Sequence, residues 1–215
     1  MACVTLADLT PDGGLLVQFR PFAPNIEVYG AAIELMLNGF RILPSVATGY
    51  LVKYGLASSA ANGRAEFDRN RWHSQDAWLR MFEAIASEVG SNTLFEIGRQ
   101  VGITSLLGVT TKDLYARMRS INIGYHSAHR RDGKPMYDPV TGATLEGIGH
   151  YACTLVTRTK TIVSVCKTPY ACDFDFGMIA ATAAQLEPRA KTVHDDRAPC
   201  RKNGVGDTCT YITTW

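Results

Sequence analysis

The sequence predicts an α+β fold in which a helical N-terminal half packs on an antiparallel sheet with one embedded helix. Between about residues 26 and 125, apolar residues recur at helical spacing. From residue 151 onward, short runs rich in β-branched residues replace that pattern, and one more helical segment lies among them. A chain of 215 residues is long enough for one such fold, so we expect a single domain over 1–215.

The helical half is predicted to contain five helices, bounded by glycine, proline or residues that favour an N-cap. They cover about 25–41, 44–55, 74–90, 92–101 and 111–125. The run GGLLVQF at 13–19 follows the turn PDGG and predicts a short strand before the first helix.

The second half is predicted to form the sheet. Residues 151–157 and 160–166 are β-branched runs typical of a hairpin, and Cys153 would lie opposite Cys166 if Thr159 and Lys160 form the turn. A short helix is expected at about 177–186, followed by strands at 190–193 and 208–215. The last strand alternates in the way a half-buried strand should, with Cys209, Tyr211, Thr213 and Trp215 on one face.

Composition excludes several classes of protein. Apolar residues make up 46% and charged residues 20%, as in ordinary globular domains. The formal net charge of +2 is too balanced for a chain whose main task is to bind nucleic acid. The N-terminus lacks a basic start and an apolar signal core, which predicts a cytoplasmic protein without a membrane span. Dinucleotide, P-loop, zincin and α/β-hydrolase motifs are absent from the sequence.

Four residues of the last third form a candidate metal site: Cys172, His194, Cys200 and Cys209. Three thiols and one imidazole match the ligands of a closed tetrahedral zinc centre, which would be structural because no position is left for water. Asp195 and Asp196 are alternatives for the fourth ligand. Simple packing is the competing interpretation, since free cysteines are among the most buried residues.

A second cluster lies in the long segment between the helices and the hairpin. His126, His129 and His150 fall here with Arg130, and we predict that these four residues contact a ligand. Imidazoles can bind a metal or act as acid and base near neutral pH, and the arginine offers an anion contact. Histidines that cap a helix C-terminus are the competing interpretation.

Residues 166–215 resemble the C-terminal part of the vinyl-4-reductase domain family. The resemblance rests on PYACDFDFG, a short helix, a strand, CRKNG and a last strand that begins with a cysteine. The segment WLRMFEAIASEVGSNTLFEIGRQVG is similar in style to the helical half of that family. The family shares its architecture with trafficking-complex subunits and, more distantly, with haem nitric-oxide sensors. The resemblance implies a zinc ion held by cysteines and an acidic residue, and a small hydrophobic ligand between helices and sheet.

The resulting hypothesis is a sensory or regulatory domain that binds a small hydrophobic or aromatic molecule and carries a structural zinc near its C-terminus. The alternative is a metal- or haem-dependent enzyme that uses the cluster of His126, His129 and His150. Relatives of this fold dimerise through their helices, so a homodimer is also expected.

Overall fold

The computed structural model describes residues 18–38, 44–59, 65–104 and 110–215, and these confirm the α+β fold. The described part has six helices: α1 (Gly30–Asn38), α2 (Pro44–Lys53), α3 (Gln75–Val89), α4 (Ser91–Thr104), α5 (Leu114–Ser127) and α6 (Cys172–Leu186). Its strands are β1 (Ile26–Tyr29), β2 (Ser58–Ser59), β3 (Ala65–Glu66), β4 (Trp72–Ser74), β5 (His129–Arg131), β6 (Lys134–Pro135), β7 (His150–Val156), β8 (Thr161–Lys167), β9 (Lys191–His194) and β10 (Cys209–Thr214).

The C-terminal sheet is antiparallel, with the strand order β7-β8-β10-β9. Its last strand alternates as predicted: Cys209, Tyr211 and Thr213 are each 0% exposed. Helix α6 enters between β8 and β9 and packs on the buried face of this sheet. The sheet, α6 and the helical half therefore share one apolar core.

Helices α4 and α6 approach each other so closely that glycines are required at the contact. A Cβ added to Gly98 would overlap the carbonyl oxygen of Phe174, and one added to Gly177 would overlap that of Phe95. Gly102 faces the carbonyl oxygen of Met178 in the same way. The backbones of the two helices are thus in direct contact, which fixes α6 relative to the helical half.

Side-chain caps begin two of the helices. Ser74 accepts a hydrogen bond from the amide of Ala77 at the start of α3, and Asp113 accepts one from Ala116 at the start of α5. Gly90 ends α3 with a φ of 82°, a conformation that favours glycine. These polar signals place α3 close to its predicted bounds.

Several predicted elements differ from the structure. Residues 26–29, predicted as the first turn of a helix, form β1, which pairs with β4 and β5 in a second sheet of order β4-β1-β5-β6. Helix α6 begins at Cys172, five residues before its predicted start. The strand predicted at 13–19 lies mostly outside the described residues, which begin at 18.

The hairpin is present, but its register differs from the prediction. The turn takes four residues, with a 3-10 helix at Thr157–Thr159 followed by Lys160 at a φ of 45°. Cys153 therefore lies opposite Ser164, whereas Cys166 lies opposite Tyr151 and Cys209. The predicted juxtaposition of Cys153 with Cys166 is wrong, because a longer turn shifts one strand along the other.

Length and apolar character decide whether a helix can cross a bilayer. Among the described residues, no helix combines the two.

Candidate ligand cavity and thiol cluster

A cavity of about 260 Å³ lies between the helical half and the C-terminal sheet. Its walls are mostly apolar, and the described lining residues include no Asp, Glu, Lys or Arg. Helices α1, α4, α5 and α6 contribute most of them: Ala31, Ala32, Leu35, Met36, Val101, Ile121, Gly124, Tyr125, Phe174 and Met178. Polar groups reach it from His129, Tyr125, Tyr151 and Tyr170. A concave, apolar site with a few polar groups is typical of small-molecule binding.

His129 is the buried imidazole of this cavity. It is 2% exposed, and its Nδ1 lies 2.6 Å from the carbonyl oxygen of Tyr125. That contact places the proton on Nδ1, so Nε2 accepts the hydrogen bond from the Tyr170 hydroxyl at 2.9 Å. Burial lowers the pKa of His129 to about 4. The ring is therefore neutral at pH 7.

The depressed pKa of His129 predicts a loss of stability in weak acid. The unfolded chain takes up this proton near pH 6.5, whereas the folded chain takes it up only near pH 4. Above pH 6.5 the titration of His129 therefore costs no stability. As the pH falls from 6.5 to 4, this group alone lowers the free energy of unfolding by about 3 kcal/mol. Urea unfolding at pH 7 and pH 4.5 should show a smaller difference in the His129→Gln variant than in the wild type. An equal difference in both would contradict the assignment.

The other residues of the predicted ligand cluster lie elsewhere. The His126 ring stacks on that of His150, with 5.2 Å between ring centroids. His150 contacts Glu146 at 2.7 Å, and Arg130 makes a two-point contact with Glu27 while lying over the ring of Trp72. None of these three is among the described residues that line the cavity, and their role as ligand contacts stays a prediction.

The structure brings the four predicted metal ligands together. One ligand atom from each of Cys172, His194, Cys200 and Cys209 lies within 4.8 Å of the others. Cys200 Sγ is 3.7 Å from Cys172 Sγ and 3.6 Å from Cys209 Sγ. The elements that position them are the start of α6, the end of β9, the loop after β9 and the start of β10. We call this set the thiol cluster.

His194 completes the thiol cluster, whereas Asp195 and Asp196 point to other partners. Asp195 accepts hydrogen bonds from Arg197. Asp196 accepts one from His194 Nδ1 at 2.8 Å, which leaves His194 Nε2 buried without a hydrogen-bond partner among the described residues. A carboxylate that holds the far nitrogen of an imidazole is a common arrangement around protein-bound metal ions.

The thiols of the cluster differ in acidity. A hydrogen bond from Cys172 lowers the pKa of Cys209 to about 4; burial opposes this effect, and the nearby guanidinium of Arg201 adds to it. The pKa of Cys172 is raised by its hydrogen bond to Cys209, and that of Cys200 by burial. Cys209 is therefore the most acidic thiol of the cluster, and a thiolate is the form that binds metal ions.

A buried ion pair, which the sequence did not reveal, joins the cavity wall to the thiol cluster. Asp175 and Arg201 have side chains that are 0% and 1% exposed, with 2.5 Å between carboxylate and guanidinium. The Tyr151 hydroxyl of the cavity donates to Asp175, and so does Thr168. Arg201 follows Cys200 directly and also donates to the carbonyl oxygen of Tyr170. The polar residues DFD within an apolar run are the sequence signal that could have indicated a paired buried charge.

Comparison with known proteins shows the fold. An H-NOX protein from S. oneidensis in its Fe(II)NO state has a TM-score of 0.57 at 15% identity, covering 86% of this chain and 97% of its own. A mutant H-NOX protein from K. algicida in the unliganded Fe(II) state has a TM-score of 0.55 at 12% identity, covering 86% and 95%. The fold is that of the H-NOX domains. A structure from work on haem distortion in the H-NOX family has a TM-score of 0.58 at 14% identity, covering 87% and 94%. No family model matches the chain, and no curated protein matches it.

These H-NOX neighbours correct two predictions. The vinyl-4-reductase assignment is wrong, because the structural similarity is to H-NOX domains and extends over 86–87% of the chain rather than its C-terminal part. The prediction of zinc as the cofactor is also wrong, because the descriptions of the neighbours name haem and iron. The sequence motifs alone did not distinguish the vinyl-4-reductase domains from the H-NOX domains, because the two families share an architecture.

Proposed function

We propose that this protein is a sensory or regulatory domain that binds a small, mainly apolar molecule in the cavity around His129. The observation that carries the proposal is an apolar cavity of about 260 Å³ with a neutral buried imidazole at its wall. A dry apolar cavity of about 150 Å³ suffices for benzene, so a molecule with one aromatic ring fits by volume. The H-NOX fold supports this proposal, because the descriptions of two neighbours name Fe(II)NO and Fe(II)CO ligation states, in which a small molecule is bound.

Haem itself does not fit the described residues. His129 has the chemistry of an axial ligand, since Tyr125 holds its Nδ1 and leaves Nε2 as the donor atom. However, the Tyr170 hydroxyl occupies Nε2, and the cavity is smaller than the 300–1,000 Å³ typical for drug-sized ligands. The described lining residues also include no cationic side chain to pair with the propionates.

Probe binding tests the proposed cavity. Toluene is expected to raise the melting temperature of the wild type but not of the Ala32→Phe variant, whose larger side chain fills the cavity. Ala143→Phe places the same ring on an exposed loop and serves as the control, with wild-type binding expected. Unchanged toluene binding by Ala32→Phe would show that this cavity is not the binding site. The same proteins are also titrated with haemin. A sharp Soret band in the wild type that is lost in His129→Gln would show that the ligand is haem and not the small apolar molecule proposed here.

We further propose that the thiol cluster binds a thiophilic divalent cation, which would fasten α6 and β10 to the loop after β9. Its support is the convergence of three sulfur atoms and one imidazole within 4.8 Å. The neutral thiols lose their protons on binding, so affinity is expected to fall as the pH is lowered.

Cobalt(II) is the probe for this second site. Reduced protein is expected to give a strong thiolate-to-cobalt absorption band at one equivalent of the ion. Cys200→Ser should weaken or abolish the band, whereas Cys153→Ser, which changes a cysteine outside the cluster, should leave it unchanged. The same band in Cys200→Ser and the wild type would refute the site.

We also propose that the protein is cytoplasmic and forms a homodimer. Light scattering over a range of concentrations measures the oligomeric state, and fractionation of cells measures the location. A monomer at all concentrations would contradict the proposed homodimer.

A further inference from the structure

The hydrogen bond between Tyr170 and His129 closes off a strong acceptor of the cavity. Among the described lining residues, His129 Nε2 is the only ring nitrogen that can accept a hydrogen bond. It lies 2.9 Å from the Tyr170 hydroxyl, and both residues are 2% exposed. Because the proton of the neutral ring is on Nδ1, the hydroxyl is the donor. A ligand can therefore reach Nε2 only if Tyr170 moves.

The ring and the backbone of Tyr170 are both held in place. Its ring packs against Phe174, with 5.6 Å between ring centroids, and meets the edge of Phe82 at 6.3 Å. Its carbonyl oxygen accepts a hydrogen bond of 2.8 Å from the buried guanidinium of Arg201. A side chain fixed in this way holds its polar group in position before any ligand binds. The hydroxyl thus remains on His129 unless these contacts are broken.

The Tyr170 hydroxyl has no capacity left for a ligand. It donates to His129, and it accepts hydrogen bonds from the side chains of Gln75 and Trp78, which act against the rise in pKa that the burial of Tyr170 causes. A hydroxyl group has one hydrogen atom and two lone pairs. These three partners use all of them.

The other two hydroxyl groups of the lining are also engaged. Tyr125 donates to the carbonyl oxygen of Ile148, and Tyr151 donates to Asp175 at 2.5 Å. Every hydroxyl hydrogen of the described lining residues is therefore committed to an acceptor of the protein. A ligand that carries a polar group must either break one of these hydrogen bonds or bury its own group without a partner. Both alternatives cost affinity.

We propose that Tyr170 determines the specificity of the cavity, and that the ligand is a molecule without a hydrogen-bonding group, of the class of aromatic hydrocarbons. The Tyr170 hydroxyl occupies His129 Nε2 and so withholds the acceptor that would otherwise bind a phenol. This inference rests on the proposed function, because it names the ligand class of the same cavity. It also implies that the cavity accepts phenols once the Tyr170 hydroxyl is removed.

Toluene and phenol are the probes for this inference, since they are similar in size and differ in one group. Calorimetry on the wild type is expected to show that toluene binds at least about tenfold more tightly than phenol, which would bury an unpaired hydroxyl. Tyr170→Phe leaves Nε2 without a donor, and the hydroxyl of phenol can take the vacant place. The ratio of the two affinities should therefore shift towards phenol by at least about tenfold in this variant.

Two controls separate this hydrogen bond from the loss of a hydroxyl group in general. Tyr115→Phe removes a hydroxyl that donates to the carbonyl oxygen of Cys153 and is not part of the described lining, so the ratio should stay at its wild-type value. Anisole has an oxygen atom but no hydrogen to donate to Nε2. Its affinity should not rise in Tyr170→Phe, whereas that of phenol should.

Nitrogen NMR of His129 provides a readout that a merely structural role of Tyr170 would not affect. The chemical shift of Nε2 depends on whether this atom accepts a hydrogen bond. We expect the shift to change in Tyr170→Phe, to return to the wild-type value with phenol and not to return with toluene. In the wild type, toluene should leave the shift unchanged. This last measurement tests the inference even if Tyr170→Phe does not fold.

Three results would overturn the inference while leaving the proposed function in place. They are equal affinities of the wild type for toluene and phenol, an unchanged ratio in Tyr170→Phe, and a change in the wild-type Nε2 shift when toluene is added. The last result would mean that Tyr170 leaves His129 when the cavity is occupied. Failure of toluene and phenol to bind to either protein would instead refute the proposed function.

Discussion

Replacing Asp175 with alanine is expected to lower the free energy of unfolding by about 3–5 kcal/mol. The substitution leaves the guanidinium of Arg201 buried without its carboxylate, and it also removes the acceptor of the Tyr151 and Thr168 hydroxyls. An uncompensated buried charge is among the most destabilising changes that a single substitution can make. Urea unfolding monitored by circular dichroism measures the effect.

The control for Asp175→Ala is Glu96→Ala, which breaks an ion pair with Arg99 on the surface of α4. Exposed pairs contribute little, so a change of at most about 1 kcal/mol is expected there. The double variant Asp175→Leu with Arg201→Met should recover most of the loss, because apolar residues can replace a buried ion pair without leaving a charge behind. A loss below about 1 kcal/mol in Asp175→Ala would mean that Arg201 reaches water.

The second large effect is expected at the contact of α4 with α6. Gly98→Ala adds a methyl group where the carbonyl oxygen of Phe174 already lies, so one helix must move away from the other. Overpacking costs about 1–3 kcal/mol, and a loss near the upper end of this range is expected because backbone atoms cannot yield by rotating a side chain. Because Phe174 and Met178 line the cavity, the shift should also weaken ligand binding.

Gly49→Ala is the matched control for Gly98→Ala. Gly49 also lies inside a helix, but apart from its chain neighbours and the backbone of its own helix, no atom of the described residues lies within 4 Å of a Cβ added there. There the substitution should stabilise the protein by about 0.5–1 kcal/mol, because alanine favours the helix. Thermal unfolding of the two variants should give shifts of opposite sign. Shifts of the same sign would contradict the close helix contact.

Strong local patterns explain which elements the sequence could predict. β7, β8 and β10 combine β-branched residues with strict alternation, and α3 combines a Ser74 cap with a Gly90 stop. In contrast, the apolar residues of Ile26–Tyr29 fit a strand as well as the first turn of a helix. Pairing with β4 and β5, which are distant in sequence, decides this segment.

The start of α6 is not evident from the sequence for a related reason. The sequence predicts that the helix starts at Gly177. In the structure this glycine lies inside α6, where it permits the close contact with Phe95 of α4. A sequence shows that a glycine is present, but not whether a turn or a neighbouring backbone requires it. The register of the hairpin is equally hidden, because its turn length depends on the left-handed conformation of Lys160.

The candidate sites were predictable to different extents. Soft ligand types in one region of the chain indicated the residues of the thiol cluster, because few other chemistries use three cysteines and a histidine. His129 was predicted as a ligand contact along with His126 and His150, but only the fold separates the ring that lines the cavity from the pair that stacks outside it.

Helix α6 is held by three separate sets of contacts. One side of it touches α4 through glycine, its first residue belongs to the thiol cluster, and Asp175 ties it to the loop that carries Arg201. A helix held at three points is expected to move little relative to its neighbours. If the cavity changes its volume when a molecule enters, the change is expected at the opposite wall, where α1 supplies Ala31, Ala32 and Leu35.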